Sequence, residues 1–138
     1  MPEHMSKRQQ AFNKHTRTRD IAILSLFLGT GIRVSECVGL NLNDVDFENN
    51  SFKVTRKGGN QVILYFSDEV KNALSQWVTD REKFLENVKE NALFVSLQKR
   101  RISTRAVENL VKKYARIVSP LKKISPHKLR STYGTNLY

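Results

Sequence analysis

Four basic residues, in three separate stretches of the chain, have side chains suited to one chemical task. They are Arg33, Lys57, His127 and Arg130. An arginine can grip two phosphate oxygens at once, and two arginines can stabilise the charge that develops when a phosphoryl group is transferred. A lysine can give a proton to a departing oxygen, and a neighbouring histidine can hold or move the proton of the nucleophile. Together the four predict a phosphoryl-transfer site that requires neither a metal nor a cofactor.

Arg33 lies at a predicted junction between two helices. The apolar run Ile21–Leu28 comes directly before Gly29–Glu36, whose glycines allow the tight or positive-φ backbone that ends a helix. The next helical pattern starts at once, with Arg33 in its first turn. Apolar neighbours on both sides would hold the guanidinium at the rim of the core. The alternative is a solvated arginine, or one paired with Glu36.

His127 and Arg130 lie near the start of the last predicted helix. Ser125 is suited to cap this helix and Pro126 to occupy its first position. The i, i+3 spacing places His127 and Arg130 on the same face, although such pairs also occur by chance in structural helices. We expect these two side chains and that of Arg33 to line one basic concavity that holds a single phosphate.

Two tyrosines follow in the same predicted helix, and neither is placed to attack that phosphate. Tyr138 lies about 12 Å further along the helix axis than Arg130 and is turned about 80° away from it. A nucleophile must come within about 3.5 Å of the phosphorus. Tyr133 shares the apolar side of the helix with Leu129 and Leu137. We therefore predict that both tyrosines are packing residues.

Lys57 lies in a region with the period of β-strands. Apolar and polar residues alternate in Val45–Phe47, Phe52–Val54 and Val62–Phe66. The Gly58-Gly59 pair marks the second turn between these strands, so the pattern predicts three antiparallel strands with Lys57 at that turn. Arg56 precedes Lys57, and the pattern leaves open which of the two would act in the site.

The remaining elements are predicted to be mostly helical. Apolar residues nearly surround Arg19–Leu28, which indicates a central core helix. Ser67 is suited to cap a second helix, and Ser103 or Thr104 to cap a third. The short apolar run Ala92–Leu97 is either a brief strand or a buried loop. The sequence therefore predicts an α+β fold, mostly helical with a small three-stranded antiparallel sheet.

The outward face of the helix after Thr104 is basic. It carries Arg105, Lys112, Lys113 and Arg116. These side chains either follow a nucleic-acid backbone or form an ordinary solvated face. The two interpretations are equally compatible with the spacing.

The charge of the whole chain indicates a polyanionic partner such as DNA or RNA. It is +11, from 24 Lys and Arg against 13 Asp and Glu, and the sequence pI is near 10. The longest apolar run is too short to span a bilayer, and Met1–Asp20 has no apolar core typical of a signal peptide. Cys37 is the only cysteine, so no internal disulfide or cysteine-based zinc site can form. We expect a cytoplasmic protein with a basic, flexible arm or linker remnant at residues 1–18.

Taken in order, the three basic stretches resemble the motifs of the tyrosine recombinase or phage integrase family, including its Xer-type members. Thr30–Glu36 resembles the family's first-arginine box, and Lys57-Gly58 lies at the second turn of a three-strand region. His127–Tyr133 is similar to the family's HxLR box. Three boxes in order are far more specific than any one. The resemblance identifies residues 19–138 as part of a tyrosine-recombinase catalytic domain.

This resemblance implies a function and a role for each basic residue. The intact protein would carry out site-specific recombination of double-stranded DNA through a 3′-phosphotyrosyl intermediate, as a tetramer. Arg33 and Arg130 would clamp the scissile phosphate, Lys57 would protonate the departing 5′ oxygen, and His127 would assist proton transfer. No cofactor is implied.

The chain also departs from the family's pattern. The family has a box resembling Leu-Gly-His and then the tyrosine nucleophile downstream of HxLR, so we expect this chain to be truncated before both and inactive as given. We also expect the amino-terminal DNA-clamping domain usual in the family to be absent. Arg56 stands where the family often has glycine. Two alternatives are a type IB topoisomerase-like fragment and a noncatalytic basic nucleic-acid-binding module. The compact box at Gly31–Glu36 argues against the first, and the second does not require the four basic residues to meet.

Overall fold

The computed structural model describes the backbone of residues 7–118 and the side chains of residues 15–117. The elements, in chain order, are α1 (Lys7–Thr30), α2 (Val34–Gly39), a 3-10 turn (Leu42–Asp44), β1 (Val45–Asp46), β2 (Ser51–Thr55), β3 (Gln61–Tyr65), α3 (Asp68–Leu85) and α4 (Thr104–Val118). The predicted α+β fold class, with most of the chain helical and one small sheet, is confirmed.

The sheet is a three-stranded antiparallel meander in the order β1-β2-β3. In the ladder between β2 and β3, Ser51 pairs with Tyr65 and Thr55 with Gln61. The central strand β2 points Phe52 into the core, while Thr55 faces outward. This alternation is the period-2 pattern read from the sequence, and it confirms the three predicted strands.

Helix α1 begins at Lys7, well before the predicted start at Arg19. In its second half the His15 ring is buried and stacks on Phe84 of α3 at a centroid distance of 3.8 Å. The backbone of residues 7–18, where the sequence predicted a flexible arm or linker remnant, is helical in the structure. The partners that anchor this part of the helix come from α3, far away in the sequence, so local periodicity could not reveal them.

Helices α1 and α3 form the main packed pair of the structure. They pack closely at Gly29, where an added Cβ atom would lie 2.8 Å from Cγ2 of Val70. The start of α3 agrees with the prediction, because the Ser67 hydroxyl accepts a hydrogen bond from the Val70 N–H at 3.3 Å. Ser103 caps α4 in the same way, through the Ala106 N–H at 3.1 Å.

The segment between α3 and α4 passes through the core. Ala92, Leu93, Phe94 and Val95 are buried, and isolated β-bridges join Asn41 to Ala92 and Val95 to Arg101. This segment is a buried loop, one of the two predicted alternatives. Within residues 7–118, no helix combines the length and apolar character that crossing a membrane requires.

Candidate functional site

Arg33 sits at the junction that joins α1 to α2. Gly31 has φ 69°, in the left-handed region that favours glycine, and its N–H donates to the Phe27 carbonyl at 3.1 Å, which completes the end of α1. Ile32 is fully buried, whereas Arg33 is exposed. Arg33 is the residue immediately before α2, and its carbonyl accepts from the Cys37 N–H at 2.9 Å. The backbone of Arg33 is therefore fixed by hydrogen bonds, while its side chain is exposed to solvent.

Glu36 provides a buried carboxylate beside this junction. Its side chain is 5% exposed. Oε1 accepts a hydrogen bond from the backbone N–H of Arg33 at 3.1 Å, and Oε2 lies 3.4 Å from Nε of Arg56. The sequence left open an ion pair between Arg33 and Glu36. In the structure, Glu36 pairs with Arg56 instead. Among the described contacts, the guanidinium of Arg33 has no carboxylate partner.

Lys57 is at the tip of the β2–β3 hairpin, as the glycine pair predicted. The Arg56 carbonyl accepts from the Gly59 N–H at 3.0 Å, which closes a four-residue turn with Lys57 second and Gly58 third. Gly58 has φ +87°, the positive angle that a type II turn requires at its third residue. Asn60 extends the closure, since its carbonyl accepts from the Arg56 N–H at 2.6 Å. The exposed Lys57 side chain therefore projects from an ordered turn.

The structure brings two of the four predicted residues to neighbouring elements. Glu36 contacts both elements. One of its oxygens accepts a hydrogen bond from the backbone N–H of Arg33, and the other pairs with the side chain of Arg56, the residue before Lys57. Glu36 thus links the start of α2 to the residue before Lys57, and the side chains of Arg33 and Lys57 are both exposed.

The other predicted site residues lie outside the described part of the chain. These are His127 and Arg130, and the same holds for Tyr133, Tyr138 and the helix predicted to carry them. Their positions relative to Arg33 stay predictions. Within the described side chains, no group of three His, Cys, Asp or Glu residues could hold a metal ion.

The outward face of α4 is exposed as predicted, but its four cations differ in their surroundings. Arg105, Lys112 and Arg116 are exposed. Lys113 is also exposed but acts on Asp20 of α1: burial raises the pKa of Asp20, and Arg19 and Lys113 oppose that shift. Lys113 is thus partly committed to the contact between α1 and α4.

Other arginines hold the scaffold together, and sequence reasoning missed them. Arg81 is 2% exposed and donates to the Ala92 carbonyl from Nε at 3.1 Å and from Nη2 at 2.9 Å. Arg101 donates from Nη1 to the carbonyls of Val38 at 2.8 Å and Leu40 at 3.0 Å, and so fixes the end of α2. A signal for Arg81 existed, because it falls at core spacing within α3. Nothing in the local sequence distinguishes Arg101.

Cys37 is not available as a nucleophile. It is fully buried in α2, and this burial raises the pKa of its thiol far above the usual range. The thiol therefore stays protonated and acts as a small apolar core residue.

The geometry described so far is that of an α+β domain with an arginine at a helix junction and a lysine on an adjacent hairpin. A match to the phage integrase family over residues 3–138 shows that the chain belongs to that family. The family comprises the tyrosine recombinases, enzymes that break and rejoin DNA, so the resemblance noted in the sequence is confirmed.

Individual relatives agree with this assignment. The chain is 40% identical over 129 residues to tyrosine recombinase XerC of Thermodesulfovibrio yellowstonii, covering 91% of this chain and 43% of the relative. It is 34% identical over 138 residues to tyrosine recombinase XerS of Lactococcus lactis subsp. cremoris, covering 97% and 38%. The crystal structure of XerA recombinase is similar with a TM-score of 0.80 and 28% identity, covering 99% of this chain and 51% of that one. The chain thus spans less than half the length of the two curated relatives.

Proposed function

We propose that the intact protein is a site-specific DNA recombinase that cleaves and rejoins strands through a 3′-phosphotyrosyl intermediate. The observation that carries the proposal is the Glu36 carboxylate, which contacts both the backbone of Arg33 and the side chain of Arg56 beside Lys57. This contact supports a shared site for Arg33 and Lys57, two residues that are 24 positions apart in the sequence. Family membership gives this pair a known type of chemistry.

Each basic residue has a role in the proposed reaction. Arg33 and Arg130 bind the nonbridging oxygens of the scissile phosphate, where negative charge increases in the transition state. Lys57 gives a proton to the departing 5′ oxygen, and His127 assists proton transfer at the nucleophile. The nucleophile is a tyrosine of the intact protein other than Tyr133 and Tyr138. The reaction requires no metal or cofactor.

The proposed partner is double-stranded DNA, engaged in the cytoplasm by a tetramer of the intact protein. The net charge of +11 supports a polyanionic partner. The exposed cations on α4 offer further contacts to the phosphate backbone, at positions Arg105, Lys112 and Arg116.

A covalent-adduct assay tests the proposal. The product of the complete reading frame is incubated with a nicked duplex that traps the cleaved strand, and the protein–DNA adduct is measured. We expect adduct from the wild type and a loss of about 10²- to 10³-fold in its rate of formation for Arg33→Ala or Arg130→Ala, because one donor to the phosphate oxygens is removed. Arg100→Ala, which removes an exposed arginine of the loop between α3 and α4, is the matched control and should cleave normally.

Two outcomes contradict parts of this proposal. If the complete protein binds DNA but forms no adduct, it is a noncatalytic nucleic-acid-binding module. If the 138-residue chain alone forms an adduct that Tyr138→Phe abolishes, Tyr138 is the nucleophile and its assignment as a packing residue is wrong.

A further inference from the structure

We propose that Arg56 is a positioning residue, which holds the turn that carries Lys57 against the start of α2 by pairing with Glu36. The inference rests on the proposed function for its catalytic consequence, since the placement of Lys57 matters to cleavage only if Lys57 acts on DNA. The contact between Arg56 and Glu36 does not depend on that function and can be tested separately.

Both ends of this connection are fixed to the backbone. Glu36 lies in the first turn of α2, and its Oε1 accepts the Arg33 N–H at 3.1 Å while its Oε2 faces Nε of Arg56 at 3.4 Å. The backbone N–H and carbonyl of Arg56 are both engaged in the turn, with the Asn60 carbonyl at 2.6 Å and the Gly59 N–H at 3.0 Å. The Arg56 side chain therefore connects the ordered turn to the first turn of α2.

Burial makes this ion pair more persistent than an ordinary surface pair. The Glu36 side chain is 5% exposed and that of Arg56 is 43% exposed. A pair between two solvated side chains is worth little, but a buried carboxylate that loses its cation is left with an uncompensated charge. Among the described residues, Arg56 is the cation that pairs with Glu36. The pair is thus expected to hold the turn before any DNA arrives.

The same contact keeps Lys57 available. Lys57 follows Arg56 directly, and the two glycines after it allow the turn to change its orientation. While Arg56 occupies Glu36, the carboxylate is neutralised and the Lys57 ammonium stays exposed. Two other cations lie close in the sequence, Lys57 directly after Arg56 and Arg33 three residues before Glu36. By pairing with Glu36, Arg56 orients the turn and leaves the carboxylate no need of either cation.

Amide hydrogen exchange in the 138-residue chain tests the contact itself. The reporters are the N–H groups of Arg56 and Gly59, which close the turn. We expect Arg56→Gln and Glu36→Gln each to speed exchange at residues 56 and 59 by roughly 3- to 10-fold, and the double variant to add little, because both changes remove one interaction. Arg56→Lys should restore part of the protection. Amides in the middle of α3, and the control Arg100→Gln, should show no change.

Cleavage by the complete protein tests the consequence for Lys57. In the proposed step, the tyrosine hydroxyl loses its proton with the assistance of His127, and its oxygen bonds to phosphorus. The bond between phosphorus and the 5′ oxygen breaks, and that oxygen takes a proton from Lys57. In a substrate with sulfur at the bridging 5′ position, the leaving group is a stable thiolate, which needs no proton. We expect Arg56→Gln to slow cleavage of the ordinary substrate about tenfold and to leave the sulfur substrate unaffected. Lys57→Ala should show the same split with a loss of about 10²- to 10⁴-fold.

The outcomes separate this inference from the proposed function. Equal slowing by Arg56→Gln on both substrates would assign Arg56 to DNA binding or general stability and overturn the positioning role. Unchanged exchange in Arg56→Gln would show that the ion pair does not hold the turn. If the wild type forms no adduct, the proposed function fails, while altered exchange at residues 56 and 59 would still establish the contact between Arg56 and Glu36.

Discussion

His15 is a titratable side chain inside the core, and its burial predicts a pH-dependent stability. Its ring is 3% exposed and stacks on Phe84, and neither ring nitrogen has a hydrogen-bond partner among the described contacts. Burial, with a smaller effect from Arg19, lowers its pKa from 6.5 to about 4, and Asp80 and the backbone of Val95 oppose the shift. The unfolded chain therefore binds a proton between pH 6.5 and 4 that the folded chain does not. The contribution of His15 to the free energy of unfolding is therefore at its maximum above pH 6.5. It decreases as the pH falls toward 4, by about 3 kcal/mol at most.

Urea unfolding at several pH values between about 4.5 and 7.5 measures this effect. The matched variant is His15→Phe, which keeps an aromatic ring in the core but cannot take up a proton. Carboxylates titrate in both proteins, so the difference between the two free energies of unfolding isolates His15. We expect that difference to shift in favour of the variant as the pH decreases. A constant difference across the range would show that the ring is not held neutral by burial.

At the scale of single residues, the sequence identified those whose signal is local. Arg33 follows a glycine junction and Lys57 precedes a glycine pair, so turn chemistry alone placed both of them. The sequence left open the choice between Arg56 and Lys57, and the contact that bears on it, between Arg56 and Glu36 20 residues earlier, is visible only in the structure. Arg101 was out of reach for the same reason, since its carbonyl partners are 61 and 63 residues away.

At the scale of elements, the contact between α1 and α3 predicts the effect of a single methyl group. A Cβ atom at Gly29 would lie 2.8 Å from Cγ2 of Val70, which is 5% exposed and belongs to a stiff β-branched side chain. Overpacking of this kind costs about 1–3 kcal/mol, and the better helix propensity of alanine returns about 1 kcal/mol. We therefore expect Gly29→Ala to lower the free energy of unfolding by roughly 1 kcal/mol.

Chemical denaturation with a matched glycine checks this expectation. Gly39, at the end of α2, has nothing within 4 Å of an added Cβ atom, so Gly39→Ala should be neutral or slightly stabilising. In the double variant Gly29→Ala/Val70→Ala, the two effects should not add, because the smaller side chain removes the collision. Equal stabilities for the two single alanine variants would mean that α1 and α3 are less closely packed than described.

The elements predicted most accurately were those with local start signals. Ser67 and Ser103 cap α3 and α4 through their own hydroxyl groups, and the backbone N–H groups that donate to those hydroxyls lie three positions later. The start of α1 was missed because its N-terminal half is basic, and His15 gains its burial from α3. Amphipathic periodicity reports a helix only where one side of it is already apolar in sequence.

At the scale of the whole molecule, the net charge predicts a class of partner but not the surface that meets it. Of the 24 lysines and arginines, Arg19, Arg81 and Arg101 each donate to backbone carbonyls within the fold. Their charges count in the net charge of the chain, but their guanidinium groups bind the protein's own backbone. The cations able to contact a phosphate backbone are those left exposed, and the face of α4 presents three of them at Arg105, Lys112 and Arg116.

This face leads to a prediction about the salt dependence of DNA binding. The 138-residue chain should bind duplex DNA weakly and with little sequence preference, through contacts to phosphate. Each phosphate contact contributes about 0.9 to the slope of log K against log salt concentration. The triple variant Arg105→Gln/Lys112→Gln/Arg116→Gln should therefore bind more weakly and reduce the slope by about 2 to 3. Fluorescence anisotropy with a labelled duplex between about 50 and 200 mM salt measures both quantities.

A charge-matched control distinguishes contact from overall charge. The variant Lys83→Gln/Lys89→Gln/Arg100→Gln removes three exposed cations that are not on α4. Because it loses the same net charge without losing the proposed contacts, its affinity should fall slightly and its slope should stay within about 1 of the wild type. Equal changes in slope for the two triple variants would show that α4 has no special part in binding. A wild-type affinity that does not respond to salt would rule out phosphate contact as the basis of binding.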